Sequence, residues 1–105
     1  MEVRIQSLDA DVSNNFKKEI RKKIQSAGRL FSRVVSFDIK LFKENNDEQN
    51  NYCIEAKIIV PQNILYAKER AKSFEAALNN LIDSIKHQLV KYKEKLEEVR
   101  SFQNP

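Results

Sequence analysis

Residues Val34–Pro61 read VVSFDIKLFKENNDEQNNYCIEAKIIVP, and this stretch determines the class of fold. In its first part, polar residues alternate with the apolar residues Phe37, Ile39 and Leu41. That period of two is typical of a half-buried β-strand, and the polar run at 45–51 predicts a loop. The alternation resumes over Tyr52–Val60, and Pro61 ends the strand because proline cannot donate a sheet hydrogen bond. The stretch therefore predicts a β-hairpin with one apolar face.

The segments before the hairpin predict a strand followed by a helix. EVRIQS (Glu2–Ser7) alternates valine and isoleucine with polar residues, which indicates a short half-buried strand. The period then becomes helical, with apolar residues at Phe16, Ile20, Ile24 and Ala27. Ser13 or Asp11 is the expected N-cap of this helix, and Gly28 is its expected stop.

The segments after the hairpin predict a strand and a long helix. NILYAKERA (Asn63–Ala71) forms the fourth strand, and Ser73 is the expected cap of the helix that follows. Its apolar residues, at steps of four and three, are Phe74, Leu78, Leu81, Ile85, Leu89, Tyr92, Leu96 and Val99. The order β-α-β-β-β-α predicts an α+β domain with one four-stranded sheet and both helices on one face. Whether the first strand lies at an edge of the sheet stays open, although the intervening helix favours parallel pairing.

Length and composition limit the organisation of the chain. Its 105 residues, 41% hydrophobic and 32% charged, suit one compact domain. We expect this domain at 1–100 and a short tail at 101–105. Cys53 is the only cysteine, which agrees with a reducing compartment. There is no apolar run of membrane-spanning length and no secretion-signal pattern at the N-terminus, so the cytoplasm is expected.

The charged residues are distributed unevenly. The formal net charge is +4, but residues 13–33 hold seven basic residues against Glu19 alone. Those seven are Lys17, Lys18, Arg21, Lys22, Lys23, Arg29 and Arg33. Residues 34–52, in contrast, carry four acidic and two basic residues. A basic cluster attracts polyanions over about a Debye length, so nucleic acid is the first partner to consider and an anionic membrane surface the second.

The long helix carries basic residues on both sides of its leucine stripe. On a helical wheel, Lys86 and Lys93 flank one side, and Lys91 and Lys95 flank the other. His87 lies away from the core.

On the first helix, Lys17 and Arg21 share one flank, Lys22 lies on the wet side, and Lys23 lies near the apolar stripe. Two helices packed side by side would pool these groups into one basic surface. The alternative interpretation is an ordinary solvated surface whose lysines serve solubility.

No residue pattern supports catalysis or a cofactor. His87 is the only histidine and has no cysteine near it in sequence, so a metal site is not expected. Cys53 has no partner for nucleophilic catalysis, and its expected place is the wet side of its strand or against a neighbour. Because Gly28 is the only glycine, no glycine-rich phosphate loop can form. We therefore expect a protein that is not an enzyme.

Five stretches together resemble a known family. The longest stretch, Phe74–Leu96, reads FEAALNNLIDSIKHQLVKYKEKL. It is similar to the second helix of the short bacterial ribosome hibernation-promoting factors and ribosome-associated inhibitors, a family that is also described as sigma-modulation protein-like. Four further stretches resemble other parts of this family's sequence pattern. They are VSNNFKKEI (Val12–Ile20), LFSRV (Leu30–Val34), FDIKLFKEN (Phe37–Asn45) and IEAKIIVP (Ile54–Pro61). The resemblance covers essentially the whole chain.

The resemblance implies a fold similar in outline to double-stranded RNA-binding domains, and binding where mRNA and tRNA run on the small ribosomal subunit. It places Lys23 and Arg33 at basic positions of the family's first half. The lysines of the long helix fall in or beside the family's second basic motif. Together with the neighbouring basic residues and His87, these positions are the candidate rRNA-binding residues. They are Lys17, Arg21, Lys22, Lys23, Arg33, Lys86, His87, Lys91, Lys93 and Lys95.

The resulting hypothesis is a non-enzymatic translation inhibitor of idle ribosomes, monomeric and without a cofactor, that contacts small-subunit rRNA. Ribosome pairing would need a separate factor. His87 stands where the family commonly has arginine, and it is either a contact to a phosphate or an exposed ring that faces water. The alternatives are a small protein-binding regulatory module and, less favoured because the apolar stripe is needed for the core, a membrane-surface module.

Overall fold

Six elements follow one another in the predicted order. A computed structural model describes residues 1–8, 11–44 and 51–103, with side chains described through Glu98. The elements are β1 (Glu2–Ser7), α1 (Asn14–Gly28), β2 (Ser36–Lys43), β3 (Tyr52–Val60), β4 (Asn63–Ala71) and α2 (Phe74–Gln103). The α+β fold expected from the sequence is confirmed, and α2 extends three residues beyond position 100.

The four strands form one sheet in the order β1-β2-β3-β4. β1 pairs with β2 in parallel, with Val3 opposite Phe37. β2 and β3 pair antiparallel, with Ile39 opposite Ala56, as do β3 and β4. The first strand therefore lies at an edge, and the helix between β1 and β2 supplies the crossover that parallel pairing requires.

Both helices cover the same face of the sheet and run in the same direction. Their N-terminal ends meet where Phe16 of α1 and Phe74 of α2 line a common hollow. Further along, Ala27 and Ile82 line a second one. Between helices and sheet lies the core, in which the largest fully buried side chains are Ile20, Ile24, Phe37, Ile39, Leu41, Ile54, Ile58, Leu78, Leu81, Ile85 and Leu89. We call the opposite side of the sheet the open face.

The long helix reaches beyond the end of the short one. α2 has 30 residues and α1 has 15, so their lengths are about 45 Å and 22 Å at 1.5 Å per residue. Past the end of α1, the ring of Phe31 packs edge-on against Tyr92 of α2, with centroids 5.6 Å apart and an interplanar angle of 87°. The segment after α1 thus buries apolar surface of α2 that α1 does not reach.

Both predicted helix caps are present. The Ser13 hydroxyl accepts the Phe16 N–H at 3.1 Å, and the Ser73 hydroxyl accepts the Ala76 N–H at 3.1 Å. Each bond satisfies one of the four backbone donors that a helix leaves free at its start. Among the residues that the structure describes, no helix has both the length and the apolar character needed to cross a membrane.

Gly28 is required by close packing rather than by an unusual backbone angle. It is the last residue of α1, and its φ is not positive. A Cβ built there would lie 2.9 Å from Cε2 of Phe37 and 2.7 Å from Sδ of Met1. The Met1 side chain is flexible, but Phe37 is fully buried and has no room to move. The absence of a side chain therefore lets the end of α1 rest on β2.

Gly28→Ala is expected to lower the free energy of unfolding. Overpacking against Phe37 typically destabilises by about 1–3 kcal/mol. Alanine's better helix propensity returns at most about 1 kcal/mol. Denaturant unfolding should show the loss, with Ser26→Ala as the control, because Ser26 is exposed two residues earlier on the same helix. Equal or higher stability of Gly28→Ala would contradict the packing argument.

Candidate nucleic-acid interface

The outer side of α1 concentrates positive charge. Helical periodicity places its apolar residues toward the sheet, which turns most of its basic residues to solvent. One hollow on this side is lined by Lys18, Arg21, Lys22, Gln25, Ser26 and Arg29. Residues 11–35 carry seven basic and two acidic residues, so their net charge of +5 exceeds the +4 of the whole chain.

The groove between the helices joins the two basic segments. Lys23 of α1 and Lys86 of α2 line the same hollow, together with Asn79. The Lys23 ammonium lies 3.0 Å from a carboxylate oxygen of Glu19 and donates to Oδ1 of Asn79 at 3.2 Å. Lys23 thus spans the two helices, and Lys86 is positioned beside it without an ion pair among the described residues.

The remaining basic residues of α2 divide between its two sides. By helical rotation, Lys93 lies on the same side as Lys86. Lys91 and Lys95 lie on the side of Ser84, whose hydroxyl donates to Oε1 of Glu69 in β4 at 2.5 Å. α2 therefore presents two lysines toward α1 and two toward the β4 edge.

The other three candidate residues lie apart from this groove. Lys17 is half-buried on the flank of α1 that it shares with Arg21. His87 is exposed on the outer surface of α2. Arg33 lies in the segment after α1, in a cavity it shares with Tyr92 and the turn between β3 and β4. The candidate residues thus form one layer over the helices, with Arg33 at the end where α2 projects. We call this layer the helix surface.

The open face carries basic residues as well, and three of them, Arg4, Lys68 and Arg70, form ion pairs, whereas Lys40 and Lys57 form none among the described residues. Arg4 donates to Oδ1 of Asp38 at 2.5 Å, and this bond and the Asp38 charge raise the pKa of Arg4. Lys68 and Arg70 both reach Glu44, at 3.4 and 2.5 Å. Of the ten candidate residues on the helix surface, by contrast, only Lys23 forms an ion pair within the described part of the chain.

Glu44 organises one end of the open face. Burial acts to raise the pKa of its carboxyl, but the hydrogen bond from Lys68 and the charges of Arg70 and Lys68 outweigh that effect, so the pKa is lowered. Cys53 lies beside this cluster on the open face, where it is fully buried. Burial, followed by the Glu44 charge, raises the pKa of its thiol. A thiol in this state is a poor nucleophile, because the thiolate is the reactive form.

Two basic residues of the helix surface are absent from the set predicted by sequence. Lys18 and Arg29 line the outer hollow of α1 with Arg21 and Lys22. The sequence did hold a signal for them, because positions 18, 22, 25 and 29 follow the spacing of one helix face. Arg29 itself lies one residue beyond the end of α1. In the described residues, no three His, Cys, Asp or Glu side chains come close enough to hold a metal ion.

Comparisons with known proteins agree with this architecture. The chain is similar, at 29% identity over all of its 105 residues and 94% of the relative, to a ribosome hibernation promoting factor of Azotobacter vinelandii. Two solved structures share its fold, each with a TM-score of 0.74. One is a ribosomal subunit interface protein from Coxiella burnetii, at 16% identity, covering 90% of this chain and 99% of that one. The other is the N-terminal domain of Protein Y from Thermus thermophilus, at 13% identity, covering 88% and 99%.

The family resemblance read from the five sequence stretches is confirmed by a family model that matches residues 3–97, nearly the whole chain. Its coverage includes both helices, up to Glu97 in α2, and all four strands. The chain belongs to the Sigma 54 modulation protein / S30EA ribosomal protein family.

Proposed function

We propose that this protein is a translation inhibitor that binds the small ribosomal subunit of idle ribosomes and occupies the path of mRNA and tRNA. Its family and the name of its curated relative, a ribosome hibernation promoting factor, support a ribosomal partner. In this proposal the helix surface contacts rRNA, and the folded domain excludes mRNA and tRNA by filling their space.

The observation that carries the proposal is the unequal pairing of charge on the two sides of the molecule. On the open face Arg4, Lys68 and Arg70 are held by Asp38 and Glu44, and Lys40 and Lys57 are unpaired, whereas on the helix surface Lys23 is the one candidate with an ion pair among the described residues. Unpaired lysines bind phosphates and release the counterions condensed on nucleic acid. Such contacts fix the position of a protein on RNA and carry little sequence information, which suits a site of constant shape.

The open face favours a second candidate function, binding of another protein. It carries exposed apolar side chains near the turn between β3 and β4, with Tyr66 61% exposed and Ile64 43% exposed. Val35 is 55% exposed, and its N–H bonds to the carbonyl oxygen of Ile59 in β3. Exposed aromatic side chains such as Tyr66 are more typical of a protein contact than of a phosphate contact. On this view the lysines of the helix surface serve solubility.

We also propose that the protein is a cytoplasmic monomer without catalytic activity or a cofactor. Any pairing of ribosomes would then depend on a separate factor.

Sedimentation of a cell extract through a gradient distinguishes the two functions. Binding through phosphates predicts that the protein migrates with small subunits at low salt and is released as salt rises, because counterion release makes affinity fall with salt. Migration away from ribosomal particles at every salt concentration would contradict the proposal and favour the protein-binding function.

A further inference from the structure

A cavity of about 370 Å³ lies where α2 passes the turn between β3 and β4. We call it the turn cavity. The residues that matter for its chemistry are Phe31, Arg33, Gln62, Asn63, Tyr92 and Leu96. Its size is at the lower end of the range found for small-molecule sites in proteins.

The turn cavity combines aromatic rings with hydrogen-bond donors. Half-buried Tyr92 forms its aromatic wall, and Phe31, which is only 8% exposed, packs edge-to-face behind it. Arg33 is exposed and has no ion pair among the described residues, so its planar guanidinium is available. Oδ1 of Asn63 accepts the N–H of Ile64 at 2.8 Å, which leaves the amide NH₂ of Asn63 as a donor. A ligand with a planar ring and several acceptors fits this combination.

Gln62 occupies a backbone position that does not suit it. Its φ is 66°, the only positive value among the described residues other than glycine. It follows Pro61 between two paired residues, Val60 and Asn63. Proline followed by a left-handed residue is the pattern of a type II turn, in which glycine or asparagine normally takes the second place. Glycine would serve the turn with less strain, so the turn itself does not account for a glutamine side chain at the mouth of the cavity.

Two other hollows among the described residues lack this combination. The hollow on the outer side of α1 is basic but has no aromatic ring. The hollow where the helices begin contains Phe16 and Phe74, but its charged residues are Asp11 and Glu75. The turn cavity has both rings and a cation, and it lies at the end of the helix surface, beside the lysine-rich part of α2.

We propose that the turn cavity binds one unstacked RNA nucleobase, with the aromatic wall against the base, Gln62 and Asn63 on its polar edge, and Arg33 on the adjoining phosphate. Single-stranded RNA is commonly recognised in this way, by aromatic contact and hydrogen bonds to base edges. The proposal rests on the proposed binding of rRNA through the helix surface. It adds a contact that distinguishes a base from a bare phosphate.

The first test uses the isolated protein and therefore does not depend on ribosome binding. NMR titration of the full chain with AMP, GMP, CMP and UMP should give saturable shifts at Phe31, Gln62 and Tyr92. Ribose 5-phosphate and inorganic phosphate should not reproduce them. No shifts up to the solubility limit of the nucleotides, or equal shifts with ribose 5-phosphate, would overturn the base-binding assignment.

Gln62→Gly separates a role in binding from a role in folding. Because glycine accepts the left-handed backbone, the variant should keep or raise the melting temperature. Its nucleotide affinity should nevertheless fall several-fold. Gln62→Asn is the matched variant, since asparagine keeps an amide and tolerates this backbone, and it should retain more affinity. Unchanged nucleotide affinity in Gln62→Gly would overturn the role of the side chain.

The second test identifies the occupant on the ribosome. A photo-crosslinking amino acid at position 62 should join the protein to rRNA when small subunits are present. Crosslinking to a ribosomal protein instead would overturn the RNA assignment. If the protein fails to bind small subunits, the proposed function fails, and the nucleotide titration still decides what the turn cavity binds.

Discussion

Replacing Lys86, Lys91 and Lys93 together by glutamine is expected to weaken binding to small ribosomal subunits by roughly two-hundredfold near 0.1 M salt. If each lysine neutralises one phosphate, each loss lowers affinity about sixfold at that salt. The plot of log affinity against log salt should also become shallower by roughly 0.7 to 0.9 per contact. The fold should survive, because all three positions are exposed on α2 and glutamine is a good helix former.

A matched triple variant controls for loss of charge alone. Lys40, Lys57 and Lys72 are exposed, lie outside the helices, and form no ion pair among the described residues. Changing them to glutamine should leave the salt slope nearly unchanged. Equal effects of the two triple variants would show that binding follows net charge rather than the helix surface. Unchanged salt dependence of the first variant would exclude its lysines from the contact.

The two sides of α2 can be tested separately. Lys86 and Lys93 lie toward α1, whereas Lys91 and Lys95 lie toward the β4 edge, next to Ser84. A double glutamine variant of each pair removes the same charge from a different side. The pair with the larger effect on the salt slope identifies the side that faces rRNA.

Competition with mRNA and tRNA is the second prediction with a large expected effect. If the domain fills their path, saturating mRNA with initiator tRNA should displace it from small subunits almost completely. The protein should in turn lower their affinity by the same factor, because coupling between two binding events is reciprocal. Added to a translating extract, it should inhibit initiation more than elongation, since engaged ribosomes already have the path filled.

Displacement can be followed with a fluorophore on the open face. Cys53 is unsuitable for labelling because it is fully buried. Lys40→Cys places the label on an exposed position of β2, away from the helices. Affinity of the labelled protein for subunits should first match that of the unlabelled protein. Simultaneous, non-competitive binding with mRNA and tRNA would rule out the proposed mechanism even if binding to rRNA were strong.

The fold was predictable because its signals are local. Alternation assigned Phe37, Ile39 and Leu41 to the buried face, and a period of 3.6 assigned Ile20 and Ile24 to the same core. The position of β1 was not predictable, since periodicity describes a strand's faces and says nothing about its neighbours.

Two local interpretations were incomplete because tertiary contacts decide them. Gly28 was predicted to be a helix stop, and its position at the helix end agrees, but the reason for a glycine there is the Phe37 ring. Cys53 does lie on the open side of β3, yet it is buried, because it sits between Phe42 and Arg70 on neighbouring strands beside the Glu44 cluster.

The candidate site was predictable as a charge pattern but not as a geometry. Helical rotation placed Lys86 on the side of α2 that the structure turns toward α1. It did not show that Lys23 is tied to Asn79 of the other helix. Nor did it bring Arg33 together with the turn at Gln62, because those residues are 29 positions apart and line one cavity only through the tertiary fold.

The order of the strands has a consequence for synthesis of the chain. Because β1-β2-β3-β4 is also the chain order, each strand emerging from the exit tunnel can join the free edge left by the one before. No strand has to insert between two that are already paired. The helix α2 follows all four strands in the chain, so its lysines are translated after the whole sheet sequence. If the helix surface binds rRNA as proposed, a nascent chain cannot present it in full to the ribosome that is making it until α2 has been translated.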